Sequence, residues 1–101
     1  LGYFSRGALY YQDKKYKKAL ADFDKIVQLK PNDEKAYMTR GNIKFKLDDY
    51  KGALADFDKA IRLAPKSRKA YFLRGNVKQK MGDTEGAEAD WMKAGQIKKK
   101  R

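Results

Sequence analysis

The 101-residue chain contains no histidine and no cysteine. It therefore lacks the side chain that titrates near neutral pH and the thiolate nucleophile, and with them disulfides and soft zinc or iron–sulfur sites. Any acid–base chemistry would have to rest on Asp, Glu, Lys or Tyr. No uncharged apolar run approaches the ~18 residues a membrane span needs, and no signal-type apolar core follows the first residues. The eight glycines are scattered and never take the GxGxxG or GxxxxGK spacing that cradles phosphate. Acidic residues are few, 13 against 25 Lys and Arg, for a net charge of +12. Yet 42% of the residues are hydrophobic and 13% aromatic, too apolar for a disordered basic tail, so the chain is expected to fold as one small unit. Absence of cysteine suits oxidising and reducing compartments alike; location is nearly open, with the cytoplasm slightly favoured.

What is present is a repeat. A shift of 34 residues lays Ala19–Pro31 on Ala53–Pro65 with nine of thirteen residues identical. The same shift aligns Tyr3, Tyr37 and Tyr71, the Arg-Gly pairs beginning at Arg6, Arg40 and Arg74, then Ala19, Ala53 and Ala87, and finally Phe23, Phe57 and Trp91. Three units result, 1–33, 34–67 and 68–101. Each reads as two helical stretches around a polar break, at 13–15, 48–49 and 82–83. Pro31 and Pro65 stop helices, and Asp33 and Ser67 suit the N-cap of the next ones. The pattern predicts six helices over roughly 1–12, 15–29, 34–47, 49–63, 68–81 and 83–97. Gly7, Gly41 and Gly75 sacrifice helix propensity, about 1 kcal/mol each against Ala, which makes sense where a partner helix approaches closely. Ala19, Ala53 and Ala87, with Ala60 and Ala94, are the expected small faces for that contact.

These residues resemble the tetratricopeptide repeat, a 34-residue unit with an aromatic, a packing Gly, a later Ala-x3-aromatic and a Pro. The resemblance covers the whole chain, in a bacterial type with Arg-Gly in the first helix. It implies an all-α, right-handed α-solenoid of three helix-turn-helix hairpins, non-enzymatic, with a concave groove lined by the first helix of each repeat. Departures are Arg in place of the pattern's Leu, Lys44 and Lys78 in place of its second Tyr, and Lys99 in place of the third Pro. By this resemblance the groove consists of Phe4, Ala8 and Tyr11, then Lys35, Met38, Asn42, Phe45 and Lys46, then Lys69, Phe72, Asn76, Gln79 and Lys80. Such a wall suits a protein or peptide with apolar anchors and acidic groups, and the amides of Asn42 and Asn76 match the donor and acceptor of a peptide bond. The competing reading of both is a solvated polar residue. The clamp by which related co-chaperones hold acidic chaperone tails is disfavoured. Its positions are occupied by Phe4, Ala8, Thr39, Lys69 and Leu73, of which only Lys69 fits.

Each unexpected Arg is followed sixteen residues later by an Asp: Arg6 with Asp22, Arg40 with Asp56, Arg74 with Asp90. Each pair brackets its hairpin turn evenly, so the two side chains stand at one height, and three intra-hairpin ion pairs are expected. The alternative, an arginine stripe reading phosphates, gives no reason for the matched Asp. Asp48, Asp49, Glu85 and Glu88 are paired carboxylates only in sequence; they sit at turns and helix starts, where the helix dipole favours them. The charge is uneven, +3, +3 and +6 across the units, with four of the last in Lys98-Lys99-Lys100-Arg101. That cluster reads as a solvated helix end; nucleic acid or anionic lipid is the sharper, disfavoured reading.

The third unit has Thr84, Glu88, Gly95 and Lys99 where the first two are apolar or Pro, as expected of a terminal repeat. Leu1, Tyr3, Phe4, Leu9, Tyr10 and Tyr11 crowd the other end, which suggests an end cut from a longer solenoid or docked on another copy. Protein or peptide binding is thus the leading function, self-association through that end the runner-up. No cofactor or metal is implied.

Overall fold

Apolar residues three and four apart give the second helix of each unit one buried stripe: Ala19, Phe23, Ile26 and Val27, then Ala53, Phe57 and Ala60. In the computed structural model, which describes residues 2–97, these stripes belong to α2 (Tyr16–Leu29) and α4 (Tyr50–Leu63). The other helices are α1 (Tyr3–Gln12), α3 (Glu34–Lys46), α5 (Arg68–Lys80) and α6 (Thr84–Gln96). Each boundary lies within two residues of the expected one. The differences are caps: the Asp49 and Asp83 carboxylates accept from the Gly52 and Gly86 N–H at 3.0 and 2.9 Å and stand just outside their helices. Asp33 and Ser67 cap α3 and α5 as expected, accepting from Lys35 N–H at 3.1 Å and Ala70 N–H at 3.2 Å. Leu1 and the Lys98–Arg101 cluster lie outside the described residues.

The hairpin turns repeat as faithfully as the helices. Lys14, Asp48 and Gly82 occupy one position of the repeat and all have positive φ, at 61°, 63° and 88°. Only the last unit uses the residue that adopts this conformation without steric cost. Helices pack on their neighbours in chain order, and α3 also touches α5, whereas no comparable contact joins α2 to α4 or α4 to α6. α3 and α5 therefore lie on the inner side of the stack, and the repeat assigns α1 to the same layer.

The glycines set the distance within each hairpin. A Cβ at Gly41 would stand 2.9 Å from the Phe57 ring and 3.2 Å from Asp56 Cβ; at Gly7 it would meet Phe23 at 2.9 Å, and at Gly75 Trp91 at 2.6 Å. The close partner is thus an aromatic ring and not Ala53 or Ala60, the small faces expected from sequence. Those alanines are themselves fully buried. Phe23 and Phe57 are 1% exposed, and each contributes about 1.5–3 kcal/mol by burial.

All three expected ion pairs form, each with two parallel bonds. Arg6 reaches Asp22 at 3.0 and 2.6 Å, Arg40 reaches Asp56 at 2.9 and 2.8 Å, and Arg74 reaches Asp90 at 2.8 and 2.7 Å. The three aspartates are buried. Lys44 and Lys78, the departures from the repeat's second Tyr, join Asp56 and Asp90 at 3.2 and 3.1 Å. Arg40 and Arg74 also reach back to the preceding hairpin, Nη1 donating to Asp24 at 3.1 Å and to Asp58 at 2.9 Å. One guanidinium therefore closes its own hairpin and joins it to the previous one.

Two outcomes follow from this packing. Gly41→Leu should lower stability by about 2–3 kcal/mol in thermal or urea melts, because the new side chain has to displace the buried Phe57 ring. The second concerns pH. Hydrogen bonds from Arg6 hold the Asp22 carboxyl below the usual carboxylate range. At Asp90 burial pushes upward, but hydrogen bonds from Arg74 and Lys78 outweigh it and the carboxyl also stays low. A carboxyl lowered on folding stabilises the protein above its unfolded value of about 3.9, and that contribution is lost as pH falls through the folded value. Asp90→Asn should therefore be less stable at neutral pH and lose less stability than the parent during an acid titration followed by circular dichroism.

Candidate functional site

The residues expected to line the groove fall on α1, α3 and α5, the three helices of the inner layer. They do not form a uniform wall. Phe4 and Phe72, one position of the repeat, are 56% and 51% exposed. Met38, the residue between them in the repeat, is half-buried and packs with Leu73 against Ala53, Phe57 and Val77. Met38 thus fills a junction, where the sequence offered it as an anchor. Phe45 belongs to the same cluster and tilts against Tyr50, with ring centroids 5.5 Å apart. Tyr11 meets Tyr16 edge-on at 5.8 Å, and its burial raises the phenol pKa above the ordinary value. Ala8 is half-buried, while Lys35, Lys46, Lys69, Gln79 and Lys80 are exposed.

Two clefts open on this layer. One, of about 440 Å³, lies where α1, α2 and α3 meet and is lined by Gly2, Tyr3, Phe4, Ile26, Leu29, Lys30, Asp33 and Lys35. Phe4 braces itself edge-on against Phe23 at 5.8 Å, so its ring is held in place while half of it faces solvent. The other, of about 390 Å³, is lined by Arg68, Lys69, Phe72, Trp91, Ala94 and Gly95. Each combines an exposed Phe with a lysine of the inner layer. Leu73 packs against the cluster of Ala53, Phe57 and Val77, but the matching residue one repeat earlier is Thr39, whose hydroxyl donates to the Lys35 carbonyl at 3.0 Å.

The two asparagines are not equivalent. Asn76 Oδ1 accepts from the Trp91 indole N–H at 3.1 Å. Asn42 faces a repeat with Phe57 in the place of Trp91, and among the described residues its side chain makes no hydrogen bond. The change from Phe to Trp at residue 91 was the available signal. An amide aligned with an indole N–H is partly committed within its own repeat; Asn42 retains both donor and acceptor.

Sequence models of the tetratricopeptide repeat match residues 7–75 and residues 69–100. The chain belongs to the tetratricopeptide repeat family. Among solved structures, the first such domain of Spaghetti (RPAP3), bound to the HSP90 peptide SRMEEVD, superposes with a TM-score of 0.90 at 23% identity, over 93% of this chain and 75% of that one. PcrH in complex with the chaperone binding region of PopD gives 0.88 at 22% identity, over 91% and 69%. The Yersinia enterocolitica type III secretion translocator chaperone SycD gives 0.91 at 19% identity, over 94% and 66%. At these identities the likeness shows the fold. No curated protein sequence matches the chain. Tetratricopeptide units are protein-interaction scaffolds by fold, and among the described residues no helix is long and apolar enough to cross a membrane.

The inequality of the asparagines sets an expectation for the two alanine variants. Asn76→Ala should lower the melting temperature by removing the partner of a partly buried indole, whereas Asn42→Ala should melt like the parent. Paired melts monitored by Trp91 fluorescence compare them directly.

Proposed function

We propose that the chain is a non-enzymatic protein-binding scaffold whose inner layer takes an extended peptide segment across α1, α3 and α5. The observation that carries this reading is the pair of open clefts, each with a half-exposed Phe and a lysine, on a layer where Asn42 keeps an uncommitted amide. Apolar side chains of the partner enter beside Phe4 and Phe72, its backbone meets Asn42, and its acidic groups face Lys35 and Lys69. The Spaghetti domain bound to a peptide and PcrH bound to a region of PopD support the class of partner. The ligand differs from an acidic tail gripped by a charged clamp. Thr39 and Leu73 hold two of the clamp's five positions, and Phe4 and Ala8 make two more apolar.

Phosphate reading loses two of the stripe's three arginines in this arrangement, since Arg40 and Arg74 are each shared between two aspartates. The net charge of +12 draws acidic molecules of any kind, so specificity must be separated from attraction.

A blocked peptide with two Leu residues spaced by Asp and Glu is a suitable probe for isothermal titration. Phe72→Ala should weaken it about tenfold, the loss of one buried anchor worth ~1.4 kcal/mol. Phe4→Ala should weaken it similarly by removing the ring that lines the first cleft. Both variants should remain folded, and added salt should reduce but not abolish binding. Affinity that is unchanged in both variants, or that vanishes with salt alone, would discard the groove.

A further inference from the structure

The three hairpin turns share one position of the repeat but not its charge. Residues 13–18 hold four lysines and one aspartate; the matching residues 47–52 hold Asp48, Asp49 and one lysine, and residues 81–86 hold Asp83, Glu85 and no base. Local electrostatics disfavours the lysines. Lys15 stands where Asp49 and Asp83 cap α4 and α6, so α2 begins without a side-chain cap and with cations in the turn where the helix dipole is least suited to them. Among the described residues none of Lys14, Lys15, Lys17 and Lys18 forms an ion pair, and ammonium groups so close together repel one another.

These four lysines rim a cleft of about 360 Å³ whose remaining lining is Tyr16 and Leu47. Both of those residues pack against the core cluster shared by the first two hairpins, and Tyr16 meets Tyr11 edge-on at 5.8 Å, so the apolar floor is fixed. Lys18 is steadied by the Tyr10 ring, with Nζ 5.7 Å from its centroid. Leu47 caps the end of α3, whereas the other lining residues belong to the first turn and the start of α2. The cleft therefore lies between two hairpins that are both present. Because helices pack on their neighbours in chain order, a unit added before α1 or after α6 would stack elsewhere and leave it open.

We propose that this cleft binds a short acidic segment of a partner protein, with one apolar side chain on Tyr16 and Leu47 and carboxylates on either side of it facing the lysines. The site is separate from the groove on α1, α3 and α5. Charge complementarity supplies the attraction, and the floor selects for an apolar side chain, which a phosphate backbone does not offer. Length is limited as well. Asp48 and Asp49 adjoin Leu47, and Asp83 and Glu85 hold the next turn, so a long polyanion or an anionic membrane laid along the turns would pass from lysines onto carboxylates.

A fluorescently labelled acetyl-Asp-Glu-Asp-Phe-Asp-Glu-Asp-amide is the probe, titrated by anisotropy at physiological ionic strength. Lys15→Asp with Lys18→Gly gives the first turn the pair that the others carry, Asp49 with Gly52 and Asp83 with Gly86. This variant should fold, as circular dichroism checks, and bind the peptide about tenfold more weakly than the parent. Lys14→Gln with Lys17→Gln, at two exposed residues, should weaken binding in the same sense. Lys25→Glu with Lys66→Ser removes as much charge as the first pair from exposed residues elsewhere and should change affinity by less than about twofold. Phe72→Ala, which tests the groove, should leave it unchanged, and replacing the peptide's Phe by Gly should weaken it about tenfold. Failure of the folded parent to bind, equal losses in the cleft and control variants, a loss confined to Phe72→Ala, or equal affinity for the Gly peptide would each overturn the proposal. An oligothymidylate or a phosphatidylserine vesicle that binds as tightly as the peptide, and loses affinity in the cleft variants, would assign the lysines to a polyanion and overturn it too.

Discussion

Close approach of the two helices in each hairpin governs the rest of the molecule. An added methyl at Gly7, Gly41 or Gly75 would meet the ring of Phe23, Phe57 or Trp91 at 2.9, 2.9 and 2.6 Å. Only a residue without Cβ lets the ring lie against the helix backbone, and this contact sets both the separation and the register of the hairpin. The Arg next to the Gly then stands opposite the Asp next to the ring. Ion pairing follows from packing and did not have to be arranged independently.

The bidentate pairs resolve a difficulty posed by composition. A chain with 25 cations and 13 anions repels itself, yet it buries three aspartates. Placing Arg40 between Asp56 and Asp24, and Arg74 between Asp90 and Asp58, lets one cation satisfy two carboxylates and join successive hairpins. Buried ion pairs stabilise less than their Coulomb attraction suggests, since desolvation offsets it; they are selective because breaking one leaves an unpaired buried charge. Lys44 and Lys78, which look like lost core residues in sequence, contribute to the same networks.

Binding capacity arises where the repeats differ. Near-identity builds the stack, and substitutions between copies distinguish its surfaces. Trp91 in place of Phe57 engages Asn76 and leaves Asn42 as the available amide, and Met92 in place of Asp58 leaves the exposed side of α6 without that acid.

Period and residue type determined the helix count, the boundaries to within two residues, the caps at Asp33 and Ser67, and the Arg–Asp pairing, because these depend on spacing along one hairpin. Tertiary structure decided the rest. It placed Phe57 and not Ala53 or Ala60 against Gly41, because which side chain crosses to the partner helix depends on the packing angle. It turned Met38 inward while Phe4 and Phe72 stayed exposed, because burial at one repeat position depends on the adjoining junction. The second bond of each inter-repeat Arg, to Asp24 and Asp58, was equally invisible: it crosses between hairpins, and the sequence period says that units recur but not which atoms meet when they stack.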